Sequence, residues 1–133
     1  MSVARINRWL VLVALIVLLP SISVAHGMLL RSQPPADSEI LQLPETIRLS
    51  FSERVEGRFS RVTVHRALRD DETGEITTQD RVDAGMAEGP TITQELSVRL
   101  PENLPAGLYL IQWQVLSVDS HRTTGRFTLT YTP

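Results

Sequence analysis

Apolar and polar side chains alternate along several short stretches of the chain. Tyr109, Ile111, Trp113 and Val115 fall on one parity, the period of two that a pleated strand imposes when one of its faces is buried. Ile47, Leu49 and Phe51 alternate with Arg48 and Ser50, and this strand leaves through Ser52-Glu53. Val62 and Val64 mark another strand, on which His65 has the opposite parity and so points away from the core. Ile92, Leu96, Val98 and Leu100 form a further strand, and Phe127, Leu129 and Tyr131, alternating with threonines, form the last. Met28 to Ser32 and Thr77 to Val82 read as edge strands. Between them lie turn signals: Gln33-Pro34-Pro35-Ala36-Asp37-Ser38, Asp70 to Gly74, Gly85 to Pro90, and Leu104-Pro105-Ala106-Gly107. About seven strands with no helical period predict an all-β fold, an antiparallel sandwich of immunoglobulin-like or cupredoxin-like type.

The first twenty-five residues follow a different pattern. Arg5 and Arg8 precede the unbroken apolar run Trp9 to Leu19, Pro20 ends it, and Ser23-Val24-Ala25 supplies the small residues of a signal-peptidase site. The run is shorter than the roughly 20 residues a membrane-spanning helix needs. Residues 1–25 are therefore read as an export signal cleaved after Ala25, and 26–133 as a single domain. That domain has no cysteine, so it must cohere by packing alone, and any metal chemistry must do without thiolates. Without Arg5 and Arg8, eleven basic residues face fifteen acidic ones, a formal charge of −4. Such a balance argues against a nucleic-acid partner.

Candidate chemistry collects at the two ends of the domain. Carried through Ser117, the parity of the strand Tyr109 to Val115 puts Asp119 and His121 on the same side at the strand's end, where a loop over Asp119 to Thr124 begins. In an extended chain, residues two apart are roughly 6 to 7 Å apart at Cα, within reach of one ion. Cleavage after Ala25 makes His26 the first residue, offering an α-amine and an imidazole together. With Asp119 and His121, three nitrogens and one carboxylate oxygen suit the tetragonal preference of Cu(II), although ligand type alone also admits zinc. Without that pairing, the bland reading is a solvated Asp119-Ser120-His121 loop.

The order of these pieces is similar to the CopC family of periplasmic copper-binding proteins: a mature amino-terminal His26, the Pro34-Pro35-Ala36 loop, Phe51-Ser52-Glu53, Pro105-Ala106-Gly107-x-Tyr109 followed by Trp113, Ser117-x-Asp119-x-His121, and Gly125-x-Phe127. The resemblance spans nearly all of 26–133. It implies a Greek-key, cupredoxin-like sandwich or barrel without catalysis, with His26, Asp119 and His121 as Cu(II) ligands and Glu53 as an acceptor for the amine. It implies copper resistance, sequestration or delivery in the periplasm, by a monomer, with an inner-membrane copper transporter of CopD-like type as partner. Some members hold Cu(I) with a Met-rich segment. Here Val64 to Gly89 carries only Met86, read as a loop hydrophobe, and the exposed His65, so a Cu(II)-only member is expected. Met28 is read as packing rather than as an axial ligand, and Trp113 as a core aromatic beneath the site. Two other classes are an oxidase cleaving polysaccharide with an amino-terminal-His copper brace and a metal-free interaction sandwich.

Overall fold

The computed structural model describes residues 29–133; the expected signal segment, His26 and Met28 lie outside them. Eight strands follow in order: β1 (Leu29–Gln33), β2 (Ser38–Ile40), β3 (Thr46–Glu56), β4 (Arg61–Arg69), β5 (Ile76–Arg81), β6 (Ile92–Arg99), β7 (Gly107–Leu116) and β8 (Arg122–Tyr131), with one 3-10 turn, Gly57–Phe59, before β4. They form a three-stranded sheet, β1-β3-β6, and a five-stranded sheet, β2-β8-β7-β4-β5. All pairs are antiparallel except β2 with β8. Only β4 to β5 and β7 to β8 are hairpins within a sheet; every other connection crosses between the two. The all-β sandwich expectation holds, with β2 as the additional strand.

The alternating positions face one another in the interior. Ile47, Leu49, Phe51 and Val55 of β3 and Leu96 and Val98 of β6 meet Val62, Val64, Ile111, Trp113, Val115, Phe127 and Leu129 of the other sheet. Such interdigitated inner faces are the whole of the core in a sandwich without disulfides. His65 lies on the outer face, its ring within 3.2 Å of the Thr63 hydroxyl and 3.3 Å of the Gln79 carbonyl.

Several sequence pieces have local physical roles. The Tyr109 hydroxyl donates to the Pro105 carbonyl, a tyrosine-corner arrangement that fixes where β7 enters the sandwich. Asp37, in the left-handed region at φ 58°, accepts from the Thr128 N–H at 3.0 Å and the Thr128 hydroxyl at 3.2 Å, which pins the Pro34-Pro35 loop onto β8. Past β5 the chain crosses toward β6. There the Asp83 carboxylate accepts from the Val64 N–H at 2.8 Å and the Met86 sulfur lies 3.2 Å from the Val62 nitrogen, so two β4 donors find acceptors where no strand pairs with them.

Candidate metal centre

β7 and β8 stay paired up to Leu116 and Arg122, and the turn between them carries Asp119 and His121. Ser120 N–H donates to the Ser117 carbonyl at 2.9 Å and Ser117 N–H to the His121 carbonyl at 2.9 Å. Ser120 adopts φ 72°, the left-handed residue that a short hairpin needs to reverse and rejoin its ladder. A loop is expected from Asp119 onward and the chain does turn after Ser117; what is corrected is the extended spacing and shared strand face inferred for Asp119 and His121, since both side chains are exposed at the tip. Alternation cannot mark where a strand ends. The turn nevertheless brings the two together, with Asp119 Oδ1 3.1 Å from His121 Nδ1.

Ser117 supports this pair from beneath. It is buried, at 1% exposure, its hydroxyl donates to the Asp119 carboxylate, and its oxygen accepts from the His121 N–H at 3.3 Å. Hydrogen bonding from Ser117, then from the His121 ring, holds the Asp119 carboxyl down to about 2, since donors to the charged form favour it. Asp119 is thus an anionic oxygen donor at neutral pH. Sequence reasoning included Ser117 in a motif without giving it a role; the available signal was a hydroxyl in the inward series after Tyr109, Ile111, Trp113 and Val115.

The three-stranded sheet reaches the same turn. Val55 bridges Ser117, and Val118 N–H donates to the Arg54 carbonyl at 3.1 Å. The β3–β6 register shifts between Ser50 and Val55, an irregularity of the kind that re-aims side chains beside sites. Glu53, half-buried, lies in this stretch next to Arg54. β1 opens at the same end, with Leu29 opposite Phe51. Trp113 lies inward of the hairpin, edge-on to Phe51 at 5.4 Å between centroids.

Among the described residues no three His, Cys, Asp or Glu side chains gather as a metal-holding group. Asp119 and His121 provide two donors, and His26 lies outside the described residues. His65 is on the outer face of β4, paired with Leu110 and Arg81. Met86 is half-buried against the core.

The family model of the CopC domain matches residues 29–132. Copper transport protein CutJ of Bacillus subtilis (strain 168) is 31% identical over 121 residues, covering 90% of this chain and 20% of that protein. The chain thus spans one fifth of that relative's length. Copper resistance protein C of Escherichia coli is 32% identical over 111 residues, 81% of this chain and 82% of that protein. Two crystal structures share the fold at a TM-score of 0.62: CopC from Methylosinus trichosporium OB3b, 27% identical over 81% of this chain and 95% of that one, and PcoC, a methionine-rich copper resistance protein from Escherichia coli, 32% identical over 81% and 100%.

Proposed function

The chain belongs to the CopC family of copper-binding and copper-resistance proteins, which are not enzymes, and from that premise we propose that it is an exported carrier of Cu(II), bound by the α-amine and imidazole of His26 together with Asp119 and His121. The observation that carries the reading is the hairpin pair, a carboxylate and an imidazole 3.1 Å apart on a surface turn. His26 precedes Leu29 by three residues, a reach of at most about 10 Å, and β1 opens at the hairpin's end of the sandwich. Glu53 is proposed to accept from the amine, as carboxylates beside metal ligands do.

The donor set favours Cu(II) over Cu(I). Soft Cu(I) takes thioethers and thiolates, and the chain has three methionines and no cysteine. Met86, the methionine within the described residues, turns its sulfur to the Val62 N–H inside the sandwich. Residues 1–25 would direct export to the periplasm and residues 26–133 would act there as a monomer. Similarity to part of a copper transport protein supports delivery to a membrane copper transporter of the CopD type, beside plain sequestration for resistance.

The test is Cu(II) titration of the processed protein, followed by electron paramagnetic resonance. Binding of a single Cu(II) with hyperfine structure from three nitrogens is expected. One extra glycine ahead of His26 should weaken binding severely, because the amine becomes an amide. Equal affinity and an unchanged spectrum in that variant would remove the amine from the ligand set.

A further inference from the structure

The outer face of the five-stranded sheet differs between its two halves. In the half nearest the hairpin, Arg61 pairs with Gln114 and Thr63 with Gln112, while across β7 Gln114 pairs with Thr124, Gln112 with Arg126 and Leu116 with Arg122. Directly paired residues share a face, so Arg61 and Arg126 stand beside glutamine and threonine, and Arg122 beside Leu116 at the hairpin end. The face is concave there, with a hollow of about 460 Å³ lined by Arg61, Thr63, Gln112, Gln114, Thr124 and Arg126, and by Trp113 and Gly125 between them. None of these strand positions holds a carboxylate. Asp37 and Glu39 sit farther along, engaged with Thr128 and Thr132. No ion pair engages Arg61, Arg122 or Arg126 among the described residues, whereas Arg81 on the neighbouring edge strand is paired with Asp83 at 2.8 Å.

From this juxtaposition we propose that the hairpin-side half of the outer sheet face is a docking surface for an acidic, carboxylate-bearing segment of a partner protein. Three unpaired guanidiniums on one face of a chain whose formal charge is −2 make a local field opposite in sign to the whole, which steers an acidic partner to that face. The planar guanidinium fork matches a carboxylate with two parallel hydrogen bonds, and the glutamine amides and threonine hydroxyls of the floor can meet the backbone of an extended segment. A bilayer fits less well: the large apolar side chain in the hollow's lining, Trp113, is 8% exposed and packed edge-on against Phe51, so it does not project to insert among lipids.

Position gives the surface its use. Arg122 follows His121 directly, and at a strand rise of about 3.3 Å per residue Arg126 is about 16 Å from His121. A segment lying from Arg126 to Arg122 ends beside the Asp119–His121 pair, where a partner's own metal ligands could receive the ion. This use rests on the Cu(II)-carrier reading; the docking chemistry does not.

The test titrates the processed protein with a short synthetic peptide alternating Glu and Ser, and with its Gln-and-Ser counterpart, followed by two-dimensional NMR. The Glu peptide is expected to shift the side-chain amides of Gln112 and Gln114 and the backbone signals of Thr63 and Thr124, and high salt to abolish the shifts. Arg61→Gln with Arg126→Gln should weaken binding by about tenfold and leave Cu(II) uptake unchanged. Absence of shifts, equal shifts with the Gln peptide, or equal affinity in the double variant overturns the proposal. So does binding only to vesicles containing phosphatidylglycerol. Peptide binding in a protein that takes up no Cu(II) would leave the docking surface standing and remove the carrier reading.

Discussion

Gly125 stands directly opposite Trp113 in the β7–β8 ladder, and its missing side chain is occupied by the indole. A Cβ added there would lie 2.1 Å from Cζ2, 2.4 Å from Cε2 and 2.9 Å from Cη2 of Trp113. Carbon atoms pack at about 3.5 to 4.0 Å, so Gly125→Ala demands that the indole move by more than about 1 Å. The inner side is closed by Phe51, edge-on at 5.4 Å and 71° and itself 1% exposed. Overpacking of this kind costs about 1–3 kcal/mol and loss of the aromatic pair a further 0.5–1.5. A loss of about 2–4 kcal/mol, at roughly 4–8 °C per kcal/mol for a domain near this size, lowers Tm by roughly 8–32 °C. Thermal unfolding followed by circular dichroism measures the shift. Trp113 is the tryptophan of residues 26–133, so its fluorescence reports the displacement. In a Trp113→Leu background the same Gly125→Ala change should cost little, because the clash is with the ring. A Gly125→Ala protein melting within a few degrees of wild type, or an equal cost in both backgrounds, would refute the close-packing account.

Ser117→Ala removes the leading donor to the Asp119 carboxylate, whose pKa should rise from about 2 toward the ordinary 3.8, read from the carboxyl carbon shift against pH. Loss of such a supporting residue should weaken Cu(II) binding by about 10- to 100-fold, and unchanged affinity in calorimetry would show that Ser117 does not position the site. His121→Ala should weaken Cu(II) binding severely, while His65→Ala should leave the titration unchanged; an equal loss from His65→Ala would mean the site is misplaced. Asp83→Ala orphans the buried Val64 N–H and should destabilise by about 1–3 kcal/mol in urea unfolding. Burial raises the Asp83 pKa, but hydrogen bonds from Arg81, Val64 and Gly85 outweigh it and leave the value below 3.8. A depressed folded-state pKa gives stability that is present above 3.8 and lost as pH falls through the lower folded value. The wild-type advantage over Asp83→Ala should therefore shrink only in strong acid, and a gap that closes at neutral pH would refute the assignment.

The strands that alternation revealed are those with one face in the core, because burial on one side only is what writes a period of two into a sequence. Ile47, Leu49 and Phe51 of β3 and Val62 and Val64 of β4 carried that signature and are buried. β2 carried none: it has three residues, Ser38–Ile40, and is held parallel to β8 with Asp37 latched onto Thr128, a tertiary contact ninety-one residues apart. Gly125 could be read only as a motif member, since nothing local records that an indole fills its place.

The candidate site shows the same division between local pattern and tertiary cause. That Asp119 and His121 lie together was legible from a spacing of two, but the geometry inferred from that spacing was an extended chain. The structure reaches the pairing through a turn, with Ser120 at φ 72° and Ser117 bonded to both partners. A turn holds the two side chains closer than an extended chain would, because the carboxylate is anchored from below and the backbone of His121 is folded back onto Ser117. The bridge from Val55 to Ser117 then ties this hairpin to the opposite sheet. The local frame of Asp119 and His121 is thus built from backbone pairing and a buried hydroxyl. On the proposed carrier reading, less ordering would remain to be done on binding Cu(II), and free energy otherwise spent gathering these two donors would be available for affinity.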